Sequence, residues 1–329
     1  MLLLVTPYLA EANNGNWRTA ARWSRMLAPH FRVIVQAASA TIAGRGAAAD
    51  VMVALHARRS HPAIAAWHHA HPDRPLVVAL TGTDLYRDVP AGDAATIASM
   101  TWADRLIVLQ DDARLHVPVA LRDKAQVVYQ SARTLVPWPR KRADRLHCVL
   151  VAHLRDEKDP ATAFGAWWRL AASVDASLTI IGAALDPALG RAARDLAAVD
   201  PRVQWVGPRA HSWTRQAIKR AHLLIVSSRM EGGANVVVEA VTSGTPVLAS
   251  RISGNVGMLG EGYPGYFPVG GTAELAALVA RAARDRTFLA SLDACCRQRA
   301  PRFAPAAEAS ALVDVLTAAL RARKDRMSA

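Results

Sequence analysis

The sequence has little of what would tie a fold together covalently or around a metal. Only three cysteines, Cys148, Cys295 and Cys296, stand in 329 residues. That is too few for a disulfide framework, and the adjacent pair lacks C-x-x-C spacing for zinc. They read as small buried hydrophobes of a reducing compartment. No run approaches the ~18–20 apolar residues of a membrane span. The apolar start Met1–Val5 has no basic stretch before it and soon meets Pro7, Glu11 and Asn13-Asn14-Gly15-Asn16. It reads as a first strand and its loop rather than a signal peptide, so a cytoplasmic location is expected. Lysine is scarce: Lys124, Lys141, Lys158, Lys219 and Lys324 are the only lysines among 40 basic residues. The net charge of +13 is spread over both halves without a block of one sign. This argues against a dedicated nucleic-acid surface and for a solvated arginine-rich surface with sites for small anions.

What is present is a large apolar fraction, 52%, with 20% charged residues, enough for two cores in a chain of this length. Short β-branched or leucine-rich runs alternate with helical stretches throughout, the pattern of βαβ units and parallel sheets. Strands are expected at Leu2–Thr6, Arg32–Gln36, Val51–Leu55, Leu76–Leu80, Arg105–Leu109 and Gln126–Tyr129. A second set follows at Cys148–Ala152, Leu178–Gly182, Val203–Gly207, Leu223–Ser227, Pro246–Ala249 and Tyr266–Val269. Asp159-Pro160, Asp186-Pro187, Ser212 and Thr272 mark helix starts, and Asp111-Asp112 reads as a helix cap rather than a D-x-D metal motif. Trp167-Trp168 reads as core packing.

The break falls at Leu135–Ala143, where two prolines and Arg140-Lys141-Arg142 suggest an extended connector. We expect an α/β protein of two doubly wound Rossmann-like domains, residues 1–140 and 141–305, facing a central cleft. A last helix within 306–329 should pack back toward the first domain.

The strongest chemical signal is Ser227-Ser-Arg-Met-Glu231-Gly232-Gly233-Ala234-Asn235-Val-Val-Val-Glu239, followed by Ser243-Gly-Thr-Pro246-Val. A buried strand ends there, a glycine turn follows, and a helix starts near Asn235. Free N–H groups at such a start attract phosphate, and Glu231 stands where open α/β sheets bind ligands. Alone, the pattern fits a phosphate-and-sugar site or a helix cap with two exposed glutamates. A second stretch, His153-Leu-Arg155-Asp-Glu-Lys158, follows the first strand of the second domain and offers cations that could neutralise a diphosphate leaving group. Arg209 lies after the strand between these two. In the first domain three strand ends carry polar clusters: Asn13-Asn14-Gly15-Asn16-Trp17-Arg18, His56-Ala-Arg58, and Thr81-Gly-Thr83-Asp84. His56 alone fits a core histidine; beside Arg58 it fits an active site.

The Glu231–Glu239 stretch resembles the E-x7-E motif of glycosyltransferase family 4, and the element pattern resembles the two-domain GT-B fold. By that resemblance Glu231 contacts the donor sugar, Gly233, Ala234 and Asn235 the distal phosphate, and Glu239 the ribose. Arg155 and Lys158 then sit on the diphosphate. Gly15, Asn16, His153, Arg209 and Gly232 complete the donor set. His153 stands where the family carries arginine. The opening T-P-Y-L-A-E-A-N-N-G-N-W-R, the H-A-R-R-S and T-G-T-D-L-Y strand ends and the H-L-R-x-E-K-D-P loop resemble the selenosugar synthase sub-family of selenoneine biosynthesis. This implies transfer of a sugar, N-acetylglucosamine, from a UDP-sugar to selenophosphate. No metal cofactor, nucleic acid or stable membrane insertion is implied. Functional coupling to a selenophosphate-producing enzyme is. Asn13, Asn14, Arg18, His56, Arg58, Thr83 and Asp84 would bind the acceptor. His56, Arg155, Lys158 and Glu231 form the catalytic set, with His56 orienting the acceptor rather than acting as an indispensable base. The alternative is a family 4 transferase with a hydroxyl acceptor.

Overall fold

The computed structural model describes residues 1–9, 15–139, 141 and 145–328, with side chains to Arg323. The chain divides into two compact units, Met1–Gln130 with Pro305–Ala329, and Ser131–Ala304.

The first unit holds a six-stranded parallel sheet: β1 (Leu2–Thr6), β2 (Val33–Ala37), β3 (Val51–Leu55), β4 (Leu76–Ala79), β5 (Arg105–Val108) and β6 (Ala125–Val127). Their order is β2-β1-β3-β4-β5-β6, with Leu2 beside Val33 on one side and Val51 on the other. Parallel strands are covered on both faces, which is why β1 reads as unbroken apolar sequence. Alternate side chains feed two cores. Leu3, Val5, Met52 and Val78 pack on one face with Ile64 and Trp67 of α2 (His61–Ala70). Leu2, Leu4, Val51 and Val77 pack on the other with Trp23 and Leu27 of α1 (Gly15–Leu27) and Leu312, Val315 and Leu316 of the last helix. Each such side chain contributes about 1.5–3 kcal/mol by leaving water.

The last helix, Pro305–Ser328, is therefore a working part of the first unit. Its Glu308 is buried and accepts from Arg22 Nε (2.8 Å) and Trp23 Nε1 (2.6 Å) on α1. At its other end Arg323 pairs with buried Asp104 at 3.1 Å.

The second unit is again a six-stranded sheet, with β7 (Leu146–Val151), β8 (Ala176–Ile181), β9 (Val203–Trp205), β10 (Leu223–Val226), β11 (Val247–Ser250) and β12 (Tyr266–Phe267), all parallel. The order is β12-β11-β10-β7-β8-β9. Among its helices are α5 (Pro160–Arg169), α7 (His211–Arg220), α8 (Asn235–Val241) and α9 (Ser253–Leu259); α3 (Ala94–Trp102), α4 (Ala113–His116) and α6 (Pro187–Val199) precede or separate them, and α10 (Thr272–Arg284) and α11 (Arg286–Arg299) follow.

Several sequence expectations are corrected. The stretch from Leu135, expected as a connector between the domains, is strapped to the second unit and belongs to it. Leu135 N–H donates to the Thr242 carbonyl at 2.8 Å. Lys141 Nζ donates to the Gly244 carbonyl at 3.0 Å, and its burial pulls that ammonium's pKa down to about 8. Ser212 and Thr272 lie inside their helices, after Ala210 and Gly271 at the caps. Asp112 makes no capping bond; the Gln110 side chain accepts from Ala113 N–H instead. Asp186 caps α6 as expected, through Ala188 and Leu189 N–H. Trp167 is core, but Trp168 is 60% exposed.

Candidate active site

In open parallel sheets a ligand meets the carboxyl ends of strands where the winding direction reverses. In the second unit that reversal lies between β7 and β10, which are paired neighbours. The loops leaving them, residues 152–159 and 227–234, therefore run side by side and are laced together. Arg229 N–H donates to the Glu157 carbonyl at 2.9 Å, and Ser227 Oγ to the Lys158 carbonyl at 3.1 Å. The Arg229 guanidinium also pairs with Asp159 at 3.4 Å.

Glu231 and Lys158 meet at the centre. Lys158 Nζ donates to Glu231 Oε1 at 2.6 Å, and Ser228 Oγ donates to the same oxygen at 2.6 Å. Among the described residues Oε2 takes no hydrogen bond. The carboxylate is 9% exposed and the lysine 24%, so the pair is half desolvated yet reachable. Such a pair holds both charged groups in one geometry and presents a cation and an open carboxylate oxygen together.

Residues that the sequence reading did not single out hold this arrangement. A Cβ on Gly254, near the start of α9, would lie 2.0 Å from the Glu231 carbonyl oxygen, so only glycine lets α9 press against the Glu231 backbone. Ser250 Oγ donates to the Ser228 carbonyl at 2.5 Å, and Asn255 Nδ2 to the Ser250 carbonyl at 2.9 Å. On the other side Gly182 brings the end of β8 so close that a Cβ would lie 1.8 Å from the Ala152 carbonyl oxygen. The sequence signal was there in Ser253-Gly-Asn255, but nothing in spacing tells which loop a glycine abuts.

Asp159 adopts a left-handed backbone, φ 43°, and makes no capping bond to α5; its Oδ2 accepts from Thr162 Oγ1 at 2.7 Å. The expected N-cap is thus a loop brace. His153 is exposed, with Nδ1 accepting from Ala183 N–H at 3.2 Å, and exposed Arg155 pairs with Glu157 at 3.6 Å. Gly232, Gly233 and Ala234 form the turn from Glu231 into α8, which begins at Asn235. Glu239, on α8, accepts from His211 Nε2 at 2.7 Å. Arg209 stands after edge strand β9 with its guanidinium over the Trp213 ring, 5.6 Å from the centroid.

In the first unit the reversal lies between β1 and β3. Asn13 and Asn14 lie outside the described residues. Gly15 and Asn16 open α1, where the Gly15 carbonyl accepts from Thr19 Oγ1 at 2.9 Å, and Arg18 lies in its first turn, half-buried. His56 follows β3 directly, in left-handed backbone at φ 70° and 2% exposed. Its Nε2 bonds Thr83 Oγ1 at 2.9 Å and its Nδ1 accepts from Arg59 N–H at 3.3 Å. Burial is the main force lowering its pKa, and it outweighs the opposing Asp84 charge. Arg58 is half-exposed and pairs with Asp93 at 3.1 Å and Asp88 at 3.6 Å.

Asp84 differs from its expected role at the acceptor. It is wholly enclosed, and its carboxylate accepts from the N–H groups of Ala57, Thr81, Gly82 and Leu85. It fixes the two loops that carry His56 and Thr83, and no face of it is open to a ligand.

Residues 145–285, which contain both laced loops, match the family model described as Glycosyl transferases group 1. Solved structures of similar fold span almost the whole chain. HepE from Anabaena, solved with UDP and glucose, is 16% identical with a TM-score of 0.75, over 96% of this chain and 99% of that one. Sucrose-phosphate synthase from Thermosynechococcus elongatus is 14% identical with a TM-score of 0.75, over 98% and 99%. The pneumococcal O-GlcNAc transferase GtfA, solved with UDP and GlcNAc, is 16% identical with a TM-score of 0.65, over 82% and 57%. The chain thus has two parallel-sheet Rossmann-like domains of the GT-B kind, and its residues 145–285 carry the signature of the group 1 glycosyl transferases.

Proposed function

We propose that the protein is a glycosyltransferase that takes a sugar, N-acetylglucosamine, from a UDP-sugar and delivers it to selenophosphate. The observation that carries the donor half is the Lys158–Glu231 pair at the β7/β10 reversal, inside the stretch matching the glycosyl transferase family. Glu231 Oε2 accepts from a hydroxyl of the donor sugar. Glu239 accepts from the ribose. Lys158 and Arg155 face the diphosphate, whose negative charge grows as the glycosidic bond breaks. A selenium lone pair forms the carbon–selenium bond, the bond from the anomeric carbon to the β-phosphate oxygen breaks, and UDP leaves with that electron pair. These two cations supply the charge the leaving group needs, so transfer at an undiminished rate in EDTA is expected.

The acceptor half is supported by the first-unit sequence resemblance and by the state of His56. Both its ring nitrogens are engaged and the ring is enclosed, a poor setting for a general base. A selenium nucleophile carried on phosphate needs one less than a hydroxyl acceptor does. His56→Gln is therefore expected to keep measurable transfer. The test is mass spectrometry of products formed from UDP-N-acetylglucosamine and enzymatically generated selenophosphate. A selenium-bearing sugar phosphate, with UDP in equal amount, is expected. No selenium product from any UDP-sugar, together with transfer to a hydroxyl compound, would replace this reading with the hydroxyl-acceptor transferase.

A further inference from the structure

The two motif glutamates are each held through a single oxygen. Glu231 Oε1 takes both Lys158 and Ser228. Glu239 Oε1 takes His211 Nε2 at 2.7 Å, and among the described residues Glu239 Oε2 takes no hydrogen bond. A carboxylate can only accept, so the proton of this bond belongs to the imidazole nitrogen. His211 is the first residue of α7, after edge strand β9, and its ring is 52% exposed against 14% for Glu239. It reaches a residue on a different helix.

One turn further along α7, Arg215 grips the other end of the same residue. Its Nη1 donates to the Glu239 carbonyl at 2.7 Å and to Thr242 Oγ1 at 3.2 Å, while Nη2 donates to the Arg133 carbonyl at 2.7 Å. Arg215 is 7% exposed. One helix therefore fixes both the backbone and the side chain of Glu239. Without His211, three side-chain torsions of a glutamate on a short helix would be ordered only when ligand binds, and that ordering weakens binding.

We infer that His211 is a positioning residue for Glu239: it holds one carboxylate oxygen so that the other meets the hydroxyls of a nucleoside ribose. The inference rests on the donor reading above. It assigns His211 no contact with the ligand.

The test is a double-mutant cycle read by calorimetric titration of the full chain with UDP, which needs no acceptor and no turnover. Glu239→Ala is expected to weaken UDP about ten-fold or more. His211→Ala is expected to weaken it about three- to ten-fold, with a melting temperature changed by no more than about a degree, since the imidazole is half exposed. His211→Gln, which can place an N–H near the Nε2 position, should restore affinity to within about two-fold. In the Glu239→Ala background, His211→Ala should cost nothing more. Additive losses would mean that His211 touches UDP itself and would overturn the positioning role. A loss with Glu239→Ala but none with His211→Ala would overturn it too, leaving the donor reading intact. Unchanged affinity in Glu239→Ala would remove the donor reading, and this inference with it.

Discussion

Both units are doubly wound parallel sheets, yet the loops at their strand ends carry opposite chemistry. In the second unit the loops after β7 and β10 hold a cation and a carboxylate that remain reachable, Lys158 and Glu231. In the first, the loops after β3 and β4 enclose an imidazole and a carboxylate, His56 and Asp84, at 2% and 0% exposure. Each reversal also bears one of the two non-glycine residues with positive φ among the described residues, Asp159 and His56. Side chains at such backbone angles persist only where surrounding bonds over-determine them. The arrangement of strands decides where a site can be; the number of backbone donors around each carboxylate decides whether it faces a ligand or the fold. Asp84 has four and serves the fold, while Glu231 has side-chain partners on one oxygen and serves the surface.

The sharpest way to break that contrast is to remove the enclosed carboxylate. Asp84→Ala strips the acceptor from four N–H groups, which should cost at least about 3 kcal/mol. A fall of several degrees in melting temperature is expected, and a shift of under a degree would show that the loops do not depend on it. Gly254→Ala attacks the second unit. The added methyl group would drive the Glu231 backbone away, at about 1–3 kcal/mol of overpacking, and should weaken binding of a UDP-sugar by more than its effect on melting suggests. Equal binding would mean that Glu231 is not held from behind.

The smallest effect concerns pH. His56 has its pKa lowered from 6.5, chiefly by burial. Below pH 6.5 the unfolded chain then binds protons that the folded chain does not, so stability falls as pH falls. His68 and His71 are shifted in the same direction, also chiefly by burial. His56→Gln should therefore flatten, without abolishing, the loss of stability between pH 7.5 and 5.5 in denaturant melts.

Both parallel sheets were legible in the sequence because strands covered on two faces leave continuous apolar runs, such as Leu2–Val5 and Leu223–Val226. Strand ends were read too long at Val203–Gly207 and Tyr266–Val269, where the ladder stops at Trp205 and Phe267. Past those points Val206 N–H still donates to the Ile180 carbonyl at 3.0 Å, while Val269 is exposed. Lys158, Glu231 and Glu239 could be named from their motif. Ser228, Arg229, His211, Arg215 and Gly254 could not, since their importance lies in contacts between segments far apart in the chain. Asp84 was misread for the same reason: an Asp at a strand end looks alike whether it faces solvent or four amides.

The central claim is that donor binding belongs to the β7/β10 reversal and not to the enclosed histidine. Calorimetric titration of UDP into the wild-type chain, Lys158→Ala and His56→Gln tests it most directly. Loss of a charge-assisted bond to the diphosphate should weaken Lys158→Ala by about ten-fold or more, while His56→Gln should titrate like the wild type. Equal affinity for Lys158→Ala, or a loss confined to His56→Gln, would contradict the account.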